Sequence, residues 1–436
     1  MTMKARRTVV TMALLAAFAS CPPAWAEEAG SGPELTSMSS SGGSVDSLLN
    51  RARQMSLELQ VAALEAEAAT ARIEGAGSLA DPKLSLSVED WNTNRNGGFF
   101  PGNPAASTMK KLRLSQELPF WGKRDLKREI AAAGARKAAV LKRQVENDLI
   151  ARVKFAYADY HSAHLVIEAA KDLRTRLDTL ARLARVRYAQ ALGRLQDVTR
   201  AEVEKSSLDA EIVRVEGERR KARARINRLL ARPLDTPLLE TPIARPIPVL
   251  ESLDLAVLSE RAQSENPDIL AQIATIEGSD KALSLAERSW YPDFEVGVSA
   301  VKREGDWRGY EAMVSMNLPL QWGLRESDIG EAKAMTAAAR AKREVRSREL
   351  DNEVADAWIS LKSAHEVEML LRESQLPQAE IGFQAALRSY EFGRSEMVDV
   401  FQSEQQVWKS HIDLVKVVFE QQVRLAELEK LVGRDL

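Results

Sequence analysis

The apolar positions of this chain alternate between two periods, and the alternation runs through the same order twice. Residues 46–76 follow a helical, Ala/Glu-rich pattern that Asp81-Pro82 breaks, because proline cannot continue a helix. Leu84, Leu86 and Val88 then alternate with Ser85, Ser87 and Glu89, the period of two expected of a strand with one apolar face. Residues 92–108 are rich in Asn, Gly and Pro and read as a loop. Leu112 and Leu114 resume the alternation up to Pro119. From Gly122 to about Ala191 only Gly134 interrupts a helical pattern, a run of about 65 residues, or ~100 Å at 1.5 Å per residue. Val145, Leu149, Val153, Ala156 and Tyr160 form a coiled-coil-like seam along it. A turn near Gly193 leads to a second long helix ending near Leu230.

After a segment holding Pro233, Pro237, Pro242, Pro246 and Pro248 the series starts again. It predicts a helix over 252–288, a strand over 293–302, a turn at Glu304-Gly305-Asp306 and a strand over 310–318. A helix over 324–390, a turn at Gly393 and a helix over 397–432 complete it. In the second hairpin Tyr310, Ala312, Val314 and Met316 face one way, and Glu311, Ser315 and Asn317 the other. In the last helix Phe401, Trp408 and Val415 are spaced by seven, as are Val400, Val407 and Leu414, a register for helix-on-helix packing.

Literal repetition supports the periodic one. LSQELPFWGKRD (114–125) returns as VSMNLPLQWGLRE (314–326), DPKLSLSV (81–88) as YPDFEVGV (291–298), and RYAQALGRLQDV (187–198) as SYEFGRSEMVDV (389–400). Tyr188 precedes Asp197 by the same nine positions that separate Tyr390 from Asp399. One unit of roughly two hundred residues is therefore duplicated in tandem. The expected organisation is a signal peptide (1–26), a flexible Gly/Ser-rich segment (27–45), repeat 1 (46–232), a Pro-rich linker (233–251) and repeat 2 (252–433).

The start of the chain sets its compartment. Lys4, Arg6 and Arg7, the apolar run Val9–Ala19 and Ala24-Trp25-Ala26 read as an export signal cleaved before Glu27. Removing its three basic residues moves the formal charge from −2 to −5. Cys21 is the only cysteine, so no intrachain disulfide forms. A lipidated start at Cys21 is the alternative, and Phe18 and Pro22-Pro23 are poorly suited to it. No later stretch is long and apolar enough for a transmembrane helix, which leaves a β-barrel open as a route into a membrane. Four strands per chain cannot close a barrel, and their edges would stand unpaired in lipid. Three copies supply twelve strands, an ordinary even number, and cyclic symmetry closes the ring.

With these motifs the chain resembles the TolC-like outer membrane factors, the exit ducts of tripartite efflux pumps and type I secretion systems. The resemblance spans nearly all of the chain after the signal. It rests on Leu-Pro-x-(x)-Trp-Gly in both copies and on the tip motif Tyr-x-x-Gly-x-x-x-x-x-Asp-Val, complete in YEFGRSEMVDV. The first copy departs from it, with Ala191 where the Gly belongs and Gly193 two positions later, so its turn is expected to differ in shape. The resemblance implies a mainly α fold with a small β part, and a homotrimer in a Gram-negative outer membrane. Its twelve-stranded β-barrel continues as a long periplasmic α-helical barrel. It also implies a periplasmic membrane fusion (adaptor) protein and an inner-membrane pump of RND type as partners, with outer-membrane lipid around the barrel. DPKLSLSVEDW and QELPFWGKRDLKREIA look most like ducts of heavy-metal efflux systems. Ducts for drugs or for type I protein secretion are the nearby alternatives. A soluble periplasmic coiled-coil adaptor is the alternative of another class, and it would not repeat an amphipathic hairpin with tryptophans in both halves.

The resemblance assigns Asp399 to an acidic ring at the periplasmic constriction, where three like charges favour cations. The plain reading is an acid complementing a helix N-terminus. Gln402 stands where a second acid is common, and Tyr390 matches a tip latch. Tyr188 and Asp197 are the repeat equivalents. Leu192-Gly193 and Gly393-Arg394 form the tip turns that would meet the adaptor, or simply helix caps. Trp91, Trp290 and Trp307 suit a membrane-interface girdle. Pro119, Trp121, Pro319 and Trp322 mark the barrel junction, where core packing is the other explanation for the two tryptophans. His161 and His164 have metal-compatible i, i+3 spacing but no third ligand nearby, so a surface-helix reading is favoured; His365 and His411 are isolated. No nucleophile–base pair, phosphate loop or zinc spacing stands out. The expectation is a non-enzyme with no metal site, no cofactor and no nucleic-acid partner.

Overall fold

The computed structural model describes residues 45–89, 109–250, 253–303 and 306–436. The signal, the Gly/Ser-rich start, Trp91 and most of the first hairpin loop lie outside them. Each predicted helix pair exists, and three predicted helices are subdivided. The first becomes α1 (Val45–Met55) and α2 (Leu57–Gly77), because Ser56 leaves the helical region and its hydroxyl accepts from Leu59 N. The helix of 252–288 becomes α5 (Leu255–Glu265) and α6 (Pro267–Glu287). There Asn266 accepts from Asp268 N at 2.8 Å and Pro267 occupies the first helical turn. The buried Asn266 amide also donates to Leu431 O at 2.8 Å, which ties this break to the end of the chain. The helix of 324–390 becomes α7 (Trp322–Leu370), a π-helical turn (Leu371–Gln375) and α8 (Leu376–Glu391). Pro377 lacks an N–H and crowds the preceding turn, and the wider turn absorbs it.

The undivided helices are α3 (Lys123–Ala189), α4 (Leu195–Leu229) and α9 (Met397–Val432). With 67 residues, α3 spans about 100 Å. On its seam Leu149, Val153, Ala156 and Tyr160 are buried and Val145 is half-buried. Each repeat builds an equivalent core: α1 against α3 and α4 through Leu49, Val153 and Ile226, and α5 with α6 against α7 and α9 through Leu258, Ile269, Val354 and Leu428. The Pro-rich segment lies strapped to α3. Tyr157 Oη donates to Ile243 O at 2.9 Å, and Tyr160 Oη to Leu239 O at 2.8 Å. The fully buried Lys154 of α3 pairs with Glu429 of α9 at 2.8 Å, and Arg245 of the strap donates to the same carboxylate at 2.7 Å. Removing one member would strand a buried charge, so the pair fixes how the repeats meet.

Four antiparallel strands, β1 (Lys83–Glu89), β2 (Met109–Leu118), β3 (Phe294–Arg303) and β4 (Asp306–Met316), form one sheet in sequence order. The pairing of β2 with β3 joins the repeats, and β1 and β4 are both open edges. The register sorts the side chains cleanly. Leu86, Leu112, Ala300 and Tyr310 fall in one cross-strand row, and Leu84, Leu114, Val298 and Ala312 in the next row of the same face. Ser85, Arg113, Ser299 and Glu311 share the opposite face, where Lys111 pairs with Glu311 at 2.9 Å and Lys83 pairs with Glu117. The apolar face is uncovered: Tyr310 is 90% and Val314 74% exposed. The strand β4 begins four residues earlier than its alternation suggests, because a register shift between Val301 and Lys302 hides the period of two there.

Candidate functional site: the helical tip

The tip is where both helix pairs reverse. Its apolar seam crosses the repeat boundary: Leu177, Leu180 and Ala184 of α3 pack with Phe383 and Tyr390 of α8 and with Val400 and Phe401 of α9. Fully burying a side chain the size of Phe401 contributes roughly 1.5–3 kcal/mol. Of the predicted heptad, Val400, Phe401 and Val407 are buried, and Trp408, Leu414 and Val415 half-buried.

The two tip turns have the same shape, contrary to the expectation from the missing glycine. Ala191 N donates to Tyr188 O at 3.0 Å and Leu192 N to Arg187 O at 2.9 Å. Gly393 N donates to Tyr390 O and Arg394 N to Ser389 O, both at 2.9 Å. These are paired C-terminal caps that need a left-handed residue, and Ala191 (φ 58°) supplies it as Gly393 (φ 72°) does. Gly193 is therefore not the first turn's glycine. Its place corresponds to Ser395, and an added Cβ would lie 3.1 Å from Arg187 Cβ and 3.2 Å from Tyr188 N, a tight contact. Leu192, Phe392 and Arg394 are exposed at the end of the molecule.

The repeat partners Tyr188 and Tyr390 differ: Tyr188 is half exposed and Tyr390 is buried. Arg187 accounts for the second. Its guanidinium lies 4.6 Å from the Tyr390 ring centroid and donates to Tyr390 O, Glu391 O and Leu192 O, bridging both turns. The Tyr390 hydroxyl is buried without a partner among the described residues, and burial raises its pKa. Arg187 was not a candidate on sequence grounds, because Ser389 occupies its place in the other repeat.

Asp399 lies exposed in the first turn of α9 and accepts from Glu396 N at 3.2 Å, completing a capping box. Asp197 holds the same place in α4, half-buried. Arg194 and Glu396, the residues preceding the two helices, face each other at 3.4 Å. Gln402 lines an open polar groove of about 700 Å³ with Gln375, Gln378, Ser403 and Gln406, beside the π-helical turn. Behind it Glu404 is buried, and desolvation lifts its pKa to about 7, opposed by Arg176 and reinforced by Glu204 and Glu380. Arg176 is committed to Glu380 by two hydrogen bonds of 2.9 and 2.8 Å.

At the other end, Pro119 and Pro319 terminate β2 and follow β4, and Trp121 and Trp322 are 76% and 67% exposed, which removes core packing within one chain as their explanation. The two junctions differ. Phe120 stacks on Tyr291 at 4.5 Å, and Asp293 accepts from Phe120 N at 2.7 Å and Lys123 Nζ at 2.8 Å. Gly122 is left-handed (φ +79°), and Arg288 donates to Trp121 O at 3.0 Å across the space a Cβ would take. The second copy carries one more residue, so Trp322 opens α7 and Gly323 lies inside it with open space around it. Trp307 and Trp290 stand at opposite ends of the sheet.

His161 is buried rather than on a helix surface, and burial lowers its pKa and that of His164. No group of three or more metal-ligating side chains occurs among the described residues.

A family model described as outer membrane efflux protein matches residues 48–232 and 258–434. Among curated proteins none matches by sequence. The fold is similar to that of the outer-membrane channel OprN (TM-score 0.77, 19% identity, covering 89% of each chain). It is also similar to the outer membrane protein VceC from Vibrio cholerae (0.75, 19%, 90% of this chain and 96% of that one). The transmembrane channel protein CusC (0.76, 17%, 89% and 92%) shares it as well.

Proposed function

Because the chain belongs to the outer membrane efflux protein family, we propose that three copies close into a ring that is fed by a periplasmic adaptor protein and an RND-type inner-membrane pump. The protein is an outer-membrane efflux channel that extends into the periplasm, and it is not an enzyme. One observation carries the ring: a four-stranded sheet with two open edges and an uncovered apolar face. Lipid satisfies the face, and only neighbouring copies satisfy the edges. Exposed Leu57, Val61 and Leu64 on α2 add further apolar surface for a neighbour. The expected species is a heat-sensitive, detergent-soluble trimer in outer-membrane fractions. A monodisperse soluble monomer after export would overturn this reading.

The proposed cargo is heavy-metal cations, supported by DPKLSLSVEDW and QELPFWGKRDLKREIA. A duct need not bind what it passes, so selection belongs to the pump. Deleting the gene should sensitise cells to metal salts and spare their resistance to drugs; the reverse pattern would reassign the cargo to drugs. In this reading Asp399 lines the constriction, with Gln402 where a second acid is absent. Leu192-Gly193 and Gly393-Arg394 meet the adaptor. Arg394→Glu should leave the trimer in the outer membrane and abolish crosslinking to the adaptor. Normal efflux in that variant would remove the charged contact.

A further inference from the structure

At the loop end of the sheet the apolar face terminates in two lysines. The register sets Lys110 of β2 directly opposite Lys302 of β3. Both share the parity of Leu112, Leu114, Val298 and Ala300, so both belong to the apolar face. On the next strand Trp307 stands opposite Lys302, whose Nζ lies 6.0 Å from the ring centroid. Trp307 reaches this face only through the register shift between Val301 and Lys302. It lies an odd number of residues from Tyr310, and an unbroken β4 would turn it to the polar side with Glu311. The bulge re-aims it.

Placing like charges opposite each other destabilises an antiparallel pair, and an ammonium is costly in hydrocarbon. Neither lysine has an ion pair with a described residue, whereas Lys83 and Lys111 on the polar face are both paired. Two cations and a redirected tryptophan at one level mark the height where acyl chains give way to headgroups. The opposite strand ends run into the helices, so this level lies on the outer side of the membrane.

We propose that Lys110, Lys302 and Trp307 form a binding site for a phosphorylated glycolipid of the outer leaflet, the lipid A part of lipopolysaccharide. A phosphate accepts from both ammonium groups and cancels their repulsion. The sugar covers the Trp307 ring, and the acyl chains descend over Leu112, Leu114 and Val298. The site rests on the outer-membrane barrel reading above.

The test is native mass spectrometry of the detergent-purified trimer. It is titrated with diphosphoryl lipid A, with the same lipid dephosphorylated, and with phosphatidylethanolamine. Wild type should prefer the diphosphoryl form by roughly tenfold or more. Lys110→Gln with Lys302→Gln should lose that preference, Lys110→Arg with Lys302→Arg should keep it, and Lys83→Gln on the polar face should not change it. Equal binding of both lipid A forms by wild type overturns the proposal without requiring any variant to fold. So does a preserved preference in the double Gln variant, or binding of inorganic phosphate as tight as that of diphosphoryl lipid A. Failure of the barrel reading would show separately, as a protein that needs no detergent before any lipid is added.

Discussion

Ala191 holds a backbone conformation that costs a residue with a Cβ roughly 1 kcal/mol relative to glycine. Ala191→Gly should therefore stabilise the tip by about that amount, and Gly393→Ala should destabilise it similarly; limited proteolysis at the tip and thermal unfolding of the assembled protein read both. Glu404 gives the tip a pH dependence. Folded, it takes its proton near pH 7, against an ordinary value of 4.5. Between those values the folded form binds more protons than the unfolded one, so stability falls as pH rises through the window. The contribution is on the order of 3 kcal/mol. Glu404→Gln should flatten the melting temperature between pH 5 and pH 7, and an unchanged slope would place the titrating group elsewhere. Residue identity alone marked Tyr390, Gly393 and Asp399, since each sits in a literal motif. Arg187 and Glu404 were hidden because their roles depend on neighbours in the other repeat, Tyr390 for the first and Arg176 and Glu204 for the second, and spacing along one helix carries no trace of them.

Elements were read well where one period persists and poorly where a single residue interrupts it. The last helix, 397–432, is found as expected because an apolar heptad runs over 400–415 and neither proline nor glycine interrupts the chain from there to Gly433. Ser56, Asn266-Pro267 and Pro377 each divide a predicted helix without disturbing the apolar pattern on either side, so periodicity passes straight across them. The junctions carry the same lesson in reverse. LPFWG and LPLQWG look equivalent, yet one inserted residue gives their glycines opposite roles. Gly122→Ala should cost about 1–3 kcal/mol, because φ is left-handed and the new Cβ would sit 1.6 Å from Arg288 Nη1. Gly323→Ala should be neutral or stabilising by up to about 1 kcal/mol, since it lies inside a helix with nothing near it. Thermal unfolding of the two variants side by side checks the difference in sign.

On the scale of the whole molecule the duplicated plan, the four strands and the need for more copies all follow from alternation and turns. What the sequence withheld is asymmetry, such as the buried Lys154–Glu429–Arg245 cluster that locks one repeat against the other. The proposed gate belongs to this scale, because a carboxylate repeated around an axis acts as a ring. Asp399 also caps its own helix, so Asp399→Ala would confound the two roles. Asp399→Asn keeps an acceptor for Glu396 N and removes the charge. Its cation preference in bilayer recordings should fall while its unfolding free energy stays within about 0.5 kcal/mol of wild type. Unchanged selectivity would leave Asp399 as a cap only.

The open edges β1 and β4 have a genetic consequence. A closed ring has no spare joint, so every copy must offer two sound edges, and one faulty copy spoils every ring it enters. Cells expressing both a normal allele and one with proline inserted into β1 should therefore assemble few sound pores, since most rings would include at least one faulty member. Such a lesion should behave as dominant over the intact gene. A lesion that prevents export should be recessive, because its product never reaches the pool from which rings are drawn.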